Sequence, residues 1–437
     1  MTVAAAALLL CGQALASANR YADVLVPIGG FVDDRVFVTG AGLRVVERGS
    51  VAVDTYWGNY GPDTSVRIAS ATKWLSAAAI LSVVDDGLID LDAPVSQYLP
   101  TEFAGQPTKG QMTVRQMFSH TSGLPGGSSY EGDLSLTLAE SVALIAVNEP
   151  LEALPGSQFT YGGVSMHVAG RVAEVVTGQS WSALFEARIA GPLGMTATDY
   201  FGLGVTQNPR IAGGARSSVN DYSRFLEMLL AGGVNANGER VLSQQAVDEL
   251  LSEQTAGATL NSAPPSVTNY DGYALGSWID GRGPQGAAAE LSSPGLFGAV
   301  PWLHRDNGVY GFFLIDNLLS NVLPLVDDVR AVSRSPLPGD TDGDRDIDDT
   351  DLGTLFSHYT GPVGAAGGKT LAQGDTDGDG DIDDTDLGTA FSHYTGPLTP
   401  ATVPEPVSSA LLVLLACLSR RCRGLGRQPH ARLHEAG

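Results

Sequence analysis

Residues 67–80 read Arg67-Ile68-Ala69-Ser70-Ala71-Thr72-Lys73-Trp74-Leu75-Ser76-Ala77-Ala78-Ala79-Ile80. Small polar residues lead into an alanine-rich apolar segment, a pattern typical of the first turn of a buried helix. Ser70 and Lys73 are three residues apart, so on a helix they share one face. A serine hydroxyl becomes a strong nucleophile when a nearby base takes its proton, and a buried lysine can be that base. The alternative is a surface lysine beside a helix-capping serine.

The composition limits what the 437 residues can do. An apolar content of 43% supports a substantial core in one large or two medium domains. The net charge is -23, and residues 340–386 contain fourteen aspartates but only two basic residues. The absence of a basic patch argues against a nucleic-acid partner. Cys11, Cys417 and Cys422 lie near the chain ends, so residues 12–416 have no disulfide and no thiol nucleophile.

Both ends of the chain have the pattern of targeting segments. Residues 1–18 combine an apolar run with small residues at alternate positions, which predicts a signal peptide, although no lysine or arginine precedes the run. Residues 399–427 contain Pro404-Glu405-Pro406, a twelve-residue apolar run and an arginine cluster. Twelve residues are short for a transmembrane span. This end resembles a PEP-CTERM sorting signal of Gram-negative bacteria. The resemblance implies export to the cell envelope or the medium, with transient membrane contact.

The pattern of residues 19–335 predicts one domain of the α+β class. Strand patterns occur at residues 43–53 and again at 273–278, 298–303 and 310–315. Helical patterns lie mainly between them; their ranges are 137–148, 164–177, 180–191, 217–231, 243–252 and 323–333. We therefore expect an antiparallel sheet flanked by helices, with an inserted helical subdomain.

A set of motifs in this region resembles the serine β-lactamase and penicillin-binding-protein superfamily. The likeness is to class C β-lactamases, D-alanyl-D-alanine carboxypeptidases and family VIII esterases. The matching stretches fall in order between about residues 30 and 335; they are Ser70-x-x-Lys73, 86–92, 113–125, 159–163, 192–195 and 217–230. An ordered set is far more specific than any single member.

The resemblance implies a role for each matching residue. Ser70 would attack a carbonyl and form an acyl-enzyme, and Lys73 would hold or take its proton. Tyr161 would relay protons to the leaving group. The third family element matches Ser293-Pro294-Gly295. By that match, the backbone N–H groups of Ser70 and Leu296 would form the oxyanion hole. No cofactor is expected for catalysis.

Two departures from the family pattern affect the expected substrate. Gly163 stands where the family usually has asparagine, and Ser293 where it has lysine or histidine. Both usual residues help to hold a polar substrate, so their absence argues against penicillin-type compounds. An ester or small amide is favoured. The alternatives are peptidoglycan D-Ala-D-Ala carboxypeptidase or β-lactamase activity, and an inactive binding protein on the same fold.

A Ser-His-Asp hydrolase is the competing enzyme class. The chain contains no Gly-x-Ser-x-Gly motif. His120 precedes a Gly/Pro loop and is expected to organise it, whereas His167 falls on an apolar helix face and is expected in the core. Neither is assigned a catalytic role.

Residues 336–398 contain a duplicated acidic loop, with an offset of 35 residues between the copies. The spacing of the acids places oxygen atoms around a hard cation, which predicts Ca²⁺. The candidate ligands are Asp340, Asp342, Asp344, Asp346, Asp348, Asp351, Asp375, Asp377, Asp379, Asp381, Asp383 and Asp386. We expect Phe356 and Phe391 to form a small core, and the module to fold only with the metal. The repeat resembles a dockerin-type module, which implies a spacer or a docking site for a protein partner.

Overall fold

A computed structural model describes residues 20–265, 271–343, 347–363 and 367–394. The chain divides into two units: Met1–Leu337 with Gly343–Arg345, and Pro338–Asp342 with Asp346–Gly437. The predicted signal peptide and sorting signal lie outside the described residues. Within the described ranges, no helix has both the length and the apolar character needed to cross a membrane.

The first unit is built on a six-stranded antiparallel sheet. In chain order the strands are β1 Gly40–Glu47, β2 Ser50–Gly58, β3 Val66–Arg67, β4 Gln158–Thr160, β5 Arg216–Ser217, β6 Thr259–Ser262, β7 Trp278–Arg282, β8 Ala288–Ser292, β9 Val300–His304 and β10 Val309–Ile315. The main sheet has the order β2-β1-β10-β9-β8-β7, so the N-terminal hairpin pairs with the last strand. Two small sheets, β3 with β5 and parallel β4 with β6, lie in the connections.

The described part of the first unit also contains helices, several of which flank the main sheet. They are α1 Ala22–Asp33, α2 Thr72–Asp85, α3 Val95–Tyr98, α4 Pro100–Phe103, α5 Val114–Phe118, α6 Ser129–Gly132, α7 Leu138–Asn148, α8 Val164–Thr177, α9 Trp181–Phe185, α10 Gly191–Leu193, α11 Val219–Leu230, α12 Gln244–Leu250 and α13 Leu319–Arg334. Residues Thr72 to Val83 of α2 are all buried. A helix buried on every side carries its first residues into the middle of the domain.

The main sheet separates two cores. Side chains of β10 alternate between them, because successive residues of a strand point to opposite faces. Phe312 and Leu314 pack with α2 and the other inserted helices. Phe313 and Ile315 pack against residues of α1 and α13 on the other face. The expected α+β architecture, with an antiparallel sheet between helices, is confirmed.

The structure corrects several predicted elements. Residues 273–278 were expected to be a strand, but the strand begins at Trp278. Gly276, at φ +81°, lies in a turn closed by the Ala274 N–H to the Ser277 carbonyl oxygen at 2.9 Å. The predicted helix 180–191 is α9 followed by a π-helical turn, Glu186–Ala190. Helix α1 and strand β8 had not been predicted from the sequence.

In the second unit, each acidic loop leads into a short helix. These helices are α14 Asp349–His358 and α15 Asp384–Ser392, and a 3₁₀ turn spans Leu371–Gln373. Ile347, Ile382, Leu355 and Ala390 are fully buried. The expected aromatic core is wrong: the rings of Phe356 and Phe391 are more than half exposed, although they contact each other edge to face. Aliphatic side chains fill the centre instead.

Candidate active site

Ser70 lies in a 3₁₀ turn, Ala69–Ala71, immediately before α2 rather than within it. The preceding residue, Ala69, has φ +45°, a backbone conformation that non-glycine residues rarely adopt and that is common at functional sites. Two hydrogen bonds hold the turn against the chain before β5. The Ile68 N–H donates to the Ala215 carbonyl at 3.1 Å, and the Ala215 N–H donates to Thr72 Oγ1 at 3.1 Å.

Lys73 lies on the first turn of α2 with only 4% of its surface exposed. Its Nζ donates to Ser70 Oγ at 3.1 Å and to the backbone carbonyl oxygen of Ala212 at 2.9 Å. Burial of an amine requires such partners, because leaving it without them is costly. The structure therefore brings the predicted nucleophile and its predicted base into hydrogen-bond contact.

Tyr161 reaches the same place from a distant part of the chain. It follows β4, and its N–H donates to the carbonyl oxygen of Ser262 at 3.0 Å. Lys73 Nζ lies 4.7 Å from the centroid of the Tyr161 ring, a cation–π distance. The Tyr161 ring also stacks on Trp278, with ring centroids 5.1 Å apart. Ser70, Lys73 and Tyr161 line one cleft of about 330 Å³.

The third predicted element follows β8 and approaches the nucleophile turn closely. A Cβ atom on Gly295 would lie 2.0 Å from the carbonyl oxygen of Ile68, so only glycine fits there. Ser293 is buried, and its Oγ lies 3.0 Å from the Gly276 carbonyl oxygen and 3.3 Å from that of Ser70. The Ser293 hydroxyl therefore donates to a backbone carbonyl and is not available to a ligand in the cleft.

Leu296 lines the cleft beside Ser70. Within the part of the chain that the structure describes, neither the Leu296 N–H nor the Ser70 N–H donates a hydrogen bond to the fold. Two such free donors next to a nucleophile are what an oxyanion hole needs. The oxyanion role of this pair stays a prediction.

Two charged residues of the cleft had not been recognised from the sequence. Glu131, on α6, is 5% exposed and forms an ion pair with Arg210, whose side chain is 41% exposed. Burial raises the pKa of Glu131, while the nearby Arg210 and Lys73 oppose that rise. Gly163 also lines the cleft, and a Cβ atom there would lie 2.6 Å from Glu131 Oε2. No periodicity marks Glu131 or Arg210 in the sequence.

Both histidines considered above are structural. His120 Nε2 lies 3.2 Å from the Tyr273 hydroxyl, and its ring contacts Tyr161 with centroids 4.6 Å apart. Burial, together with the nearby Lys73 charge, lowers the pKa of His120 well below its usual value. His167 Nε2 pairs with Asn208 Oδ1 at 2.7 Å, and burial lowers its pKa to about 4.

The aspartates of the second unit converge in three groups, each with oxygen atoms within 4.8 Å of one another. The groups are Asp340, Asp342 and Asp351; Asp375, Asp377 and Asp386; and Asp381, Asp383 and Asp386. Loop positions one, three and twelve thus meet in both copies, and carboxylate oxygens are the donors that Ca²⁺ takes. Asp348 and Asp379 fall outside these groups, and Asp344 and Asp346 lie outside the described residues.

Comparisons with known proteins agree with this geometry. The family model described as Beta-lactamase matches residues 30–332. A crystal structure of a protein from Bacteroides dorei, assigned as a β-lactamase, has 31% identity and a TM-score of 0.64, covering 72% of this chain and 99% of that one.

Two further named proteins are also similar to parts of the chain. Penicillin-binding protein 4 of Amycolatopsis lactamdurans is 29% identical over 65% of this chain and 81% of its own. Esterase EstB of Burkholderia gladioli is 37% identical over 30% of this chain and 38% of its own. The match over residues 30–332, together with the part-buried Ser70–Lys73 contact in the cleft, shows that the chain belongs to the Beta-lactamase family of serine hydrolases.

Proposed function

We propose that the protein is an exported serine hydrolase that cleaves a carboxylic ester or small amide through an acyl-enzyme on Ser70. The observation that carries this proposal is the 3.1 Å contact between Ser70 Oγ and the buried Nζ of Lys73. A serine in contact with a base at the wall of a cleft is the arrangement that nucleophilic catalysis requires. Export rests on the terminal segments, which lie outside the described residues.

The reaction divides into two steps. In the first, Ser70 Oγ attacks the carbonyl carbon, its proton passes to Lys73, and the carbonyl oxygen receives hydrogen bonds from the N–H groups of Ser70 and Leu296. The tetrahedral intermediate then expels the alcohol or amine, which takes a proton through Tyr161. In the second step, water attacks the carbonyl carbon of the Ser70 ester and gives up a proton through Tyr161 to Lys73. Lys73 then returns a proton to Ser70 Oγ as the bond to the acyl group breaks, so the acid leaves and Ser70 is restored.

Ester and small-amide substrates are favoured by the third element. Ser293 offers the cleft neither a positive charge nor a free hydroxyl, because its Oγ faces two backbone carbonyls. The Nζ of Lys73 is already engaged by Ser70 Oγ and the Ala212 carbonyl. A substrate carboxylate therefore lacks the lysine partner that the family usually provides. The ester-cleaving name of the Burkholderia relative agrees with this preference.

Covalent labelling tests the proposal. A fluorophosphonate probe should label the wild-type protein, and p-nitrophenyl acyl esters should be hydrolysed. Ser70→Ala should abolish both, with turnover falling by about 10³-fold or more. Ser82→Ala is the matched control, because Ser82 is buried on the same helix and its hydroxyl bonds to the Ala79 carbonyl. Labelling that persists in Ser70→Ala contradicts the assignment.

The same assays separate the alternatives. The departures from the family pattern at Gly163 and Ser293 favour an inactive binding protein as the second candidate. Absence of labelling and of turnover across a series of acyl esters would favour that candidate over the hydrolase. Rapid hydrolysis of nitrocefin or of D-Ala-D-Ala peptides would instead support β-lactamase or carboxypeptidase activity. We expect both of these reactions to be slow.

We further propose that the second unit binds Ca²⁺ through its two acidic loops. The convergence of Asp375, Asp377 and Asp386, repeated by their counterparts in the first loop, supports this proposal. The metal would supply structure and no catalytic chemistry. Docking of a protein partner onto this unit stays a prediction from the dockerin resemblance.

A further inference from the structure

The carboxylate of Glu131 lies in the cleft of Ser70 but takes no part in the steps above. Its Oε1 is paired with the guanidinium of Arg210. Its Oε2 is buried, and among the described residues it has no hydrogen-bond partner. Buried polar atoms are nearly always satisfied, so an exception at an active site calls for a functional explanation.

Gly163 makes room for this carboxylate. A Cβ atom at position 163 would come within 2.6 Å of Oε2 and 3.0 Å of Oε1, so any larger residue would push the carboxylate aside. The carboxylate of Glu131 can therefore occupy its place in the cleft because position 163 is glycine and not the asparagine that the family usually has. The position that usually carries a neutral amide here borders a carboxylate.

The charges around Glu131 define what it can bind. The two cationic groups that line the cleft with it are Lys73 and Arg210. Lys73 Nζ is held by Ser70 Oγ and the Ala212 carbonyl, and Arg210 pairs with the other carboxylate oxygen. Within the described lining of the cleft, Glu131 is the one acidic side chain. Rotation about the terminal torsion of a glutamate is broad, so either oxygen can be presented to a ligand.

We propose that the free carboxylate oxygen of Glu131 binds the protonated amine of the substrate, so that the enzyme selects acyl groups with an ammonium close to the scissile carbonyl. Esters and small amides of amino acids are the substrate class with this chemistry. The inference rests on the proposed hydrolase function, because the ammonium is placed relative to the carbonyl that Ser70 attacks. A charge pair is strengthened where water is excluded.

Two isosteric substrates test the proposal. The p-nitrophenyl esters of alanine and of isobutyric acid differ by one ammonium in place of one methyl group. At about pH 6, an α-amino group with a pKa near 7.7–8.0 is protonated. After correction for their different rates of spontaneous hydrolysis, kcat/KM should favour the alanyl ester. Glu131→Gln should lower kcat/KM for the alanyl ester by about 10-fold to 100-fold and change that for isobutyrate by less than about 3-fold.

Two further variants sharpen the test. Gly163→Asn should reduce the same preference, because its side chain displaces the carboxylate. Asp92→Asn is the matched control: Asp92 also pairs with an arginine, Arg115, but it is exposed and does not line the cleft. An equal loss on both esters in Glu131→Gln would overturn the proposal and indicate that Glu131 positions the attacking water instead.

A binding measurement separates failure of this inference from failure of the hydrolase proposal. Ser70→Ala can be titrated with alaninamide and isobutyramide by calorimetry, since neither experiment requires turnover. Tighter binding of alaninamide that is lost in Ser70→Ala/Glu131→Gln supports the ammonium site even if no ester is cleaved. Equal binding of the two amides overturns it, whatever the esterase assays show.

Discussion

In the cleft of the first unit, a buried carboxylate and a buried amine each have at least one hydrogen-bond partner of the same unit, whereas in the second unit several carboxylates, most of them buried, are brought together. Glu131 pairs with Arg210, and Lys73 Nζ has two oxygen acceptors. In contrast, Asp375 and Asp377 lie beside a third carboxylate, that of Asp386. The carboxylate of Asp375 accepts hydrogen bonds from the backbone N–H groups of its own loop.

This difference indicates where each unit obtains its stability. The first unit has a large apolar core on both faces of its sheet, and the buried amine and carboxylate of its cleft have hydrogen-bond partners of the same unit. The second has a small aliphatic centre and a cluster of like charges, which repel one another unless a cation is bound. The first unit should therefore respond to internal substitutions, and the second to the ionic composition of the solvent.

Removal of Ca²⁺ should have the largest effect. In calorimetry of the full-length protein with Ca²⁺, we expect separate transitions for the two units. EGTA should abolish that of the second, because a metal at 100 times its dissociation constant contributes about 2.7 kcal/mol. The first transition and the esterase rate should not change. Asp375→Asn/Asp386→Asn should mimic EGTA, whereas identical scans with and without EGTA would contradict the prediction.

Acid should destabilise the first unit. The pKa of His167 is about 4 in the folded protein because of burial, against 6.5 as its ordinary value. Between these values the unfolded chain binds more protons, so the free energy of unfolding falls as the pH decreases from 6.5 to 4, by at most about 3 kcal/mol. His120, whose pKa is also lowered, acts in the same direction. Urea unfolding from pH 7.5 to 4.5 measures the slope.

His167→Gln should make this slope shallower, even though the variant is less stable at neutral pH. His393→Gln is a suitable control because it changes a histidine of the second unit. A slope that is the same in the wild type and in His167→Gln would show that other groups cause the acid sensitivity. The acid sensitivity of the first unit would then have to be explained by titratable groups other than His167.

The sequence predicted the parts of the site that local motifs encode. Ser70 and Lys73 share a face at a spacing of three residues, and Tyr161 precedes a pair of glycines in a family-like motif. These signals can be recognised in the sequence because each depends only on residues that are close together along the chain. Several of the longer helices and the hairpin of β1 and β2 were predictable for a similar reason, since the periodicity of apolar residues reports local structure, whereas α1 and β8 were not predicted.

The remaining features depend on contacts between distant residues. Glu131 and Arg210 are 79 positions apart, and neither has a periodic or motif signal. The left-handed conformation of Ala69 is imposed by packing rather than by its own preference. Phe356 and Phe391 were expected inside because they are large and apolar, yet Ile347 and Ile382 fill the available space. Which of these side chains is buried depends on how the folded chain fills its interior, and the local sequence does not encode that.

A pair of glycine substitutions should show the contrast in packing between the units. Gly295→Ala places a Cβ atom 2.0 Å from the backbone oxygen of Ile68, so the turn of Ser70 must move. We expect the first unit to lose about 1–3 kcal/mol, with a loss of esterase activity. Gly353 lies on α14, and a Cβ atom there meets nothing within 4 Å. Gly353→Ala should therefore stabilise the second unit by about 0.4–1 kcal/mol. Destabilisation by both substitutions would contradict this contrast.

The smallest expected effect on stability comes from a pair of equivalent hydrogen bonds between the two repeats of the second unit. The Tyr359 hydroxyl donates to Asp384, and the Tyr394 hydroxyl donates to Asp349 Oδ1 at 2.5 Å, so each repeat reaches across to the other. These hydrogen bonds raise the pKa of each tyrosine to about 12. Both residues are partly exposed, and hydrogen bonds within reach of water contribute little because water replaces them easily.

Tyr359→Phe and Tyr394→Phe should therefore lower the melting temperature of the Ca²⁺-bound second unit by similar small amounts, about 1–2 °C each. Alkaline pH should remove the same contribution in the wild type, because ionisation of a phenol with a raised pKa is favoured in the unfolded chain and stability is lost as the pH rises from 10 toward 12. Calorimetry of the two variants provides the measurement. If one substitution unfolds the second unit and the other does not, the two repeats are not structurally equivalent, although the same motif recurs in the sequence at an offset of 35 residues.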